Sequence, residues 1–509
     1  MNKKHIALAA ASLSLVAFSF TASAKSFKRG VSENSFNLIE EIDAVKPGTS
    51  WFYSWGNTPS SNIRNYVDAD FEFEPMCWNA NYSADNIRAY CKEHPETKYL
   101  LGFNEPNFKN QANMTPEAAA AAWPQVQALA KELGLKLVGP AVNYSPDGPE
   151  NDPYTWYAKF VSLVGKDAFD YIAIHNYSGG VDGMRTMIDR FYGLYGKQIW
   201  LTEFCNWPGN TTITPAMQIT SMIAQVEYLE KSEKVFRYAW FKAKGSATSS
   251  PAYGLIIPKN GAGPRELSEQ GKVYVYMTDF DASRYHSMTE VVPAIEYINS
   301  QSLVLGSSAD ERNSSPIEIT QFNAGAYADY QFDVPAAGAY TLTLRVSGMG
   351  EPTRFDPYIG IASVDNDGNE LSTLAEARQF QLPNDDKTYA EVKFAVNLAA
   401  GKQRIRVKDC GPYSPSGIHI SALTFDPNGS VDAVVIDTDK VACHFSGDRL
   451  QFTGNATVVS ASVYDLNGRL VAQGMAEGNA LAAGSLATGA YIVKVTTADG
   501  AAMTLKTLK

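Results

Sequence analysis

The amino-acid sequence predicts an α/β protein, a (β/α)8 TIM barrel followed by two all-β sandwich domains. Three observations predict it. Eight apolar, strand-like runs alternate with amphipathic helical stretches from Phe27 to about Phe280, as in a parallel sheet wrapped by its crossover helices. After about Tyr285 the long helical stretches give way to short alternating runs between Gly, Pro and Asp-Gly turns, the mark of antiparallel sheets. From Val431 onward the chain reads as two hairpins, one turning at Asn467-Gly468, the strongest short hairpin signal. The expected units are a leader at 1–24, a barrel at 25–286, a β-sandwich at 287–427 and an immunoglobulin-like unit at 428–509.

The eight runs are KRGVS, SWFYSW, FEFEPMCW, KYLLGFN, KLVGPAV, DYIAIHNY, QIWLTEF and VFRYAWF. Between the fourth and fifth, Thr115 and Pro116 open a helix and Gly134 closes it; after the seventh, Thr214 and Pro215 repeat the opening. Threonine caps free N–H groups, proline at the first helical position lacks one, and glycine accepts the left-handed turn that ends a helix. A doubly wound open sheet is the competing arrangement. In the third part, YADYQFDV, AYTLTLRVS, YAEVKFAVNL and QRIRVKD alternate with period two, and a linker begins at Pro427.

The first residues, MNKKHIALAAASLSLVAFSFTASA, have a lysine-bearing start, an apolar middle and an Ala22-Ser23-Ala24 ending, as in a secretory leader cleaved before Lys25. No later apolar run is long enough to span a membrane. With 43 Lys plus Arg against 54 Asp plus Glu, the formal net charge of -11 repels nucleic acid and anionic lipid and points to an uncharged partner. The five cysteines lack the spacing of a zinc site. Cys77 and Cys91 are either a disulfide or two buried thiols.

In a (β/α)8 barrel, chemistry belongs where strands end. Strand four ends at Asn104-Glu105-Pro106-Asn107, strand six at His175-Asn176-Tyr177, strand seven at Thr202-Glu203-Phe204-Cys205 and strand eight near Trp240. Glu105 and Glu203 thus face each other across the mouth, at the roughly 5–5.5 Å that suits a retaining glycosidase. Two ionised carboxylates that close repel by roughly 3 kcal/mol at an effective dielectric of about 20, so one holds a proton near neutral pH. An acid beside an ionised nucleophile is what glycosidic cleavage needs, with no cofactor or metal required. Tyr177 is placed to hydrogen-bond the nucleophile, His175 to contact a sugar hydroxyl, and Trp55, Trp78, Trp207 and Trp240 to offer sugar platforms, Trp207 and Trp240 above all. Cys205 reads as a buried thiol.

The strings KRGVS, PMCW, LGFNEPN, VGPA, IAIHNY, WLTEF and YAWF, with the GLIIPKNG…LSEQGKVY ending, resemble the catalytic core of glycoside hydrolase family 128, in clan A of the glycosidases. The resemblance covers about Lys25 to Phe280. It implies a retaining β-1,3-glucanase on laminarin- or curdlan-like glucan, with Glu105 as acid/base and Glu203 as nucleophile. Asn104 is expected to donate to the sugar 2-hydroxyl; endo action and a monomer are the expectations set beside it, although the residues themselves leave endo versus exo cleavage and oligomeric state open. A clan A glycosidase of other linkage and a non-catalytic glycan-binding surface protein are the alternatives.

The segments AIEYIN, GAYADYQFDVPAAGAYTLTLRVSG, LAAGKQRIRV and GIHISALTF resemble a family 6 carbohydrate-binding module. Its start reads Ala294-Ile295-Glu296 rather than a contiguous Ala-Glu. Such modules often hold structural calcium, for which Glu296 and Asp426 are the candidate ligands; Tyr358 and Tyr413 lie in loops suited to sugar stacking. The last unit, with VYDLNGRLV, LATGAYIVKV and MTLKTLK, resembles the C-terminal sorting domain of the type IX secretion system. That likeness implies export through the periplasm to the medium or cell surface, with the secretion machinery as partner.

Overall fold

A computed structural model describes residues 25–207, 209, 211–259, 265–348, 357–383, 385–411, 417–427, 441–453, 457–465, 469–484, 486–498 and 502–509. The expected leader, Tyr413 and the Asn467-Gly468 turn lie outside the described residues.

All eight strand-like runs form strands: β1 Arg29–Ser32, β2 Trp51–Tyr53, β3 Glu72–Phe73, β4 Tyr99–Leu101, β5 Lys136–Val142, β6 Tyr171–Asn176, β7 Ile199–Phe204 and β8 Val235–Phe241. They make one parallel sheet in the order β3-β2-β1-β8-β7-β6-β5-β4. Pairing of β1 with β8 beside unbroken consecutive neighbours is a cyclic order, which no doubly wound sheet has. Where β3 meets β4, Met76 bridges Leu101 in parallel, the Leu101 N–H donates to the Pro75 carbonyl and the Cys77 N–H to the Leu101 carbonyl, each at 2.9 Å. The sheet therefore curls far enough for its ends to touch.

Helices α1 Ile39–Val45, α2 Ala84–Glu93, α3 Pro116–Leu133, α4 Pro153–Val164, α5 Val181–Tyr195, α6 Pro215–Lys231 and α7 Glu269–Tyr276 pack outside the sheet. Thr115 and Thr214 accept from the N–H groups of Ala118 and Met217, and Gly134 closes α3 at φ 68. Strand periodicity divides the core in two. Trp51, Tyr53, Tyr99, Leu101, Val138, Ala173, Trp200 and Ala239 pack inside the curl, while their neighbours Phe52, Leu100, Leu137, Ile172, Leu201, Tyr238 and Trp240 face the helices. At the amino-terminal end of the strands Arg237 lies between Glu72 and Glu74, both nearly fully buried.

Ten further strands between His286 and Asp426 join in one hydrogen-bonded network, mostly antiparallel. Its strand Asn299–Ser307 lies against α6 and α7: Ser300 Oγ donates to Glu227 at 2.6 Å, and Lys272 donates to Ser307 Oγ at 2.8 Å. The last residues form a three-stranded and a four-stranded antiparallel sheet on a separate core. Both expected hairpins are there, Val458–Tyr464 with Leu470–Met475 and Ala490–Thr497 with Ala502–Leu508. Cys77 and Cys91 are free thiols, as are the other three cysteines, so the disulfide alternative falls. Glu296, one of the two expected calcium ligands, faces the Arg284 guanidinium at 3.3 Å. No helix among the described residues is long and apolar enough to cross a membrane.

Candidate active site

A cavity of about 910 Å³ opens at the carboxyl end of the curled sheet, and Glu105 and Glu203 both line it. Local backbone irregularity aims each of them. Just past β4, Glu105 takes φ 42, a left-handed conformation uncommon for a side chain with Cβ; its N–H is fixed to the Ala141 carbonyl at 2.9 Å. In β7 the register slips between Ile174/Leu201 and His175/Glu203. Simple alternation would aim Trp200 and Thr202 inward and Glu203 outward. The extra residue reverses that and brings the carboxylate into the mouth, a known use of bulges.

His175, fully buried on β6, stands between the acids: Nδ1 lies 2.8 Å from Glu105 Oε1 and 3.3 Å from Glu203 Oε2. One oxygen of each carboxylate and one imidazole nitrogen all fall within 4.8 Å of one another, the only such cluster of three candidate metal-ligating side chains among the described residues. Nδ1 is hydrogen-bonded to Glu105, and His175 Nε2 has no partner among the described residues. Burial disfavours the imidazolium, but the facing charges of Glu203 and Glu105 outweigh it and raise the pKa of His175 above its ordinary value.

Glu203 is ringed by donors. The Tyr53 hydroxyl reaches Oε1 at 3.1 Å, the Trp55 indole N–H reaches the same oxygen at 2.7 Å, and the Tyr177 hydroxyl donates to Oε2. Burial pushes the Glu203 carboxyl above the usual range, and the neighbouring Glu105 adds to it; His175, Tyr177 and Trp55 pull the other way. Asn104 lines the cavity, donating to Gln111 Oε1 at 3.2 Å, with its own Oδ1 unpartnered among the described residues. Trp207, 38% exposed, lies parallel to Tyr253 with ring centroids 5.7 Å apart, and its face borders the cavity beside Phe241.

Two expected sugar contacts are corrected. Trp240 is fully buried among Phe204 and Tyr274, its indole N–H held by the Tyr253 carbonyl at 2.8 Å. Ala239 points into the curl, so Trp240 points to the helices and the next residue, Phe241, reaches the cavity. His175 is closed off by the two carboxylates and offers no sugar contact. Tyr53 and the indole N–H of Trp55 as donors to Glu203 went unforeseen: nothing in the sequence links positions 150 and 148 residues apart. Trp55 and Trp78 do line the cavity, and the Cys205 thiol is fully buried.

An α/β sheet of this topology with two acids converging at its carboxyl edge defines a glycosidase-type centre. Residues 30–274 match the family model of the glycosyl hydrolase catalytic core. Among solved structures, the chain is 34% identical to a GH128 (subgroup II) endo-β-1,3-glucanase from Pseudomonas viridiflava, over 49% of this chain and 98% of that one, with a TM-score of 0.44. A subgroup II endo-β-1,3-glucanase from Sorangium cellulosum is 31% identical over 49% and 97% of the chains, TM-score 0.43. A subgroup I endo-β-1,3-glucanase from Amycolatopsis mediterranei, in complex with laminaritriose, is 31% identical over 47% and 95%, TM-score 0.38. No curated protein matches the chain. By sequence identity over nearly the whole length of the Pseudomonas enzyme, the chain belongs, through its first half, to glycoside hydrolase family GH128.

Proposed function

We propose that this chain is a retaining endo-β-1,3-glucanase on a (β/α)8 barrel, with Glu203 as nucleophile and Glu105 as acid/base. The observation that carries the reading is the convergence of the two carboxylates with His175 within 4.8 Å at the base of one cleft. That spacing favours direct attack by a side chain, because inverting enzymes hold their carboxyl groups about 6.5–9.5 Å apart to admit a water. The choice of β-1,3-glucan leans on the relatives, whose members include endo-β-1,3-glucanases and one holding laminaritriose.

Three neutral donors on Glu203 favour its ionised form against burial, and an ionised carboxylate attacks the anomeric carbon. Glu105 gives its proton to the departing glycosidic oxygen. It then takes a proton from water, whose oxygen attacks the same carbon and releases Glu203. Trp207 and Phe241 offer apolar faces to sugar rings, and Asn104 has one amide N–H left for a hydroxyl. Reducing ends released from laminarin test this: wild type is active, and Glu105→Gln and Glu203→Gln each lose about 10³-fold or more. No release from laminarin by the wild type overturns it.

The same reading has the chain exported through the periplasm after loss of its leader, carried to the medium or cell surface by the 428–509 unit, with the 287–427 sandwich binding glucan and the enzyme monomeric. Mass spectrometry of the secreted protein tests the export part: a mature chain starting at Lys25 supports it, and a retained leader contradicts it.

A further inference from the structure

A second cavity, of about 550 Å³, shares Asn143, Tyr144 and Tyr177 with the catalytic cleft and runs out over the first turns of α5 past Ser178 and Thr186. We propose that the cleft forks at Tyr177 and that this second arm takes a β-1,6-linked glucosyl branch carried by the glucan backbone. The inference rests on the β-1,3-glucanase reading above.

Tyr144 is 58% exposed at the fork, yet it is not loose. Its ring meets Tyr154 edge-on at 6.1 Å, and Tyr154 is clamped between Phe191, stacked at 4.7 Å, and the Arg190 guanidinium, 3.6 Å from its ring centre. An exposed aromatic on so rigid a base is a platform for the C–H face of a sugar. Asn143, Ser178 and Thr186 add amide and hydroxyl groups, and the one charged lining residue, Asp182, is engaged by Arg185 at 2.9 Å. Aromatic faces with a few neutral polar groups suit an uncharged pyranose.

The position of the arm selects a branch over more backbone. The main cleft spans from Phe108 and Gln111, after β4, to Lys242, after β8. The arm leaves it midway, at Tyr177, whose hydroxyl touches Glu203. A β-1,3 backbone uses O1 and O3 of each unit, so the primary O6 of a sugar beside the reacting one is free to carry a substituent sideways.

The test compares kcat/KM on a linear β-1,3-gluco-oligosaccharide and on the same oligosaccharide with one β-1,6-glucosyl branch. Thr186 is exposed on α5, so Thr186→Trp fills the arm with little risk to folding. The wild type is expected to cleave both substrates, and Thr186→Trp to lower branched relative to linear cleavage at least tenfold; Tyr144→Ala is expected to shift the same ratio several-fold. If the wild type cleaves the linear but not the branched substrate, or if both variants leave the ratio unchanged, the arm proposal is wrong. If the wild type cleaves neither, the glucanase reading itself fails and takes the arm with it.

Discussion

Trp55 reaches across the curled sheet from just past β2 to hold Glu203, its indole N–H 2.7 Å from Oε1. Indole nitrogen only donates, so the contact favours the ionised carboxylate. Trp55→Phe keeps a ring and removes the donor. Hydrogen bonds to charged groups contribute about 1.5–3 kcal/mol, so kcat is expected to fall roughly ten- to hundredfold. The acid limb of the pH–rate profile should move to higher pH, because loss of a donor to the ionised form raises the Glu203 pKa further. An unmoved limb would show that the indole does not tune the nucleophile.

His175 binds both acids through one nitrogen. The carboxylates hold its pKa up against burial, so removing either charge should lower it. In Glu105→Gln or Glu203→Gln, the imidazole signal followed by NMR should titrate at lower pH than in wild type. His175→Phe leaves two acids with no donor between them, and kcat/KM is expected to drop about 10²-fold. Unchanged titration in both glutamine variants would remove His175 from the electrostatic account.

At the other end of the strands, burial pushes the Glu74 carboxyl up to about 8, Arg237 opposing and Glu72 reinforcing the rise. The Arg237 guanidinium faces both buried carboxylates and the exposed Lys98 ammonium stands 3.6 Å from Glu72, so the pair keeps room for one proton, which burial favours on Glu74. A folded pKa above the ordinary 4.5 means that the stabilisation is complete below about pH 4.5 and is lost as pH rises through about 8. Thermal melts should show Tm falling between pH 6 and pH 9, and Glu74→Gln should flatten that slope. A wild-type Tm flat or rising over the same interval contradicts the shared proton.

Strand Asn299–Ser307 contributes Ser300 and Ser307 to contacts with α6 and α7, and Leu303 and Leu305 belong to the same apolar cluster as the helix-facing core. A chain ending at residue 286 exposes that surface. Its Tm is expected to fall by about 5 °C or more relative to the full chain, read by calorimetry. Equal melting temperatures would make the following strands an independent appendage.

Much of this was legible in the sequence, for a physical reason: a buried parallel strand is an apolar run, and Thr-Pro marks a helix start, so β1–β8, α3 and α6 could be read directly. Glu105 and Glu203 were legible as the polar ends of two such runs. What failed was parity and distance. Trp240 and Phe241 are both aromatic at the end of β8, and only the phase of the pleat tells which one faces the cavity. A register slip decides the same question for Glu203, and local sequence carries no sign of it. Donors from Tyr53 and Trp55 exist only because the sheet curls β2 into reach of β7.

The most direct measurement is the anomeric configuration of the first product, followed by proton NMR as laminarin is cleaved. Attack by Glu203 followed by water inverts the anomeric carbon twice, so the β-anomer should appear first and the α-anomer only later by mutarotation. An α-anomer at the earliest time points would mean that water, not Glu203, attacks the sugar.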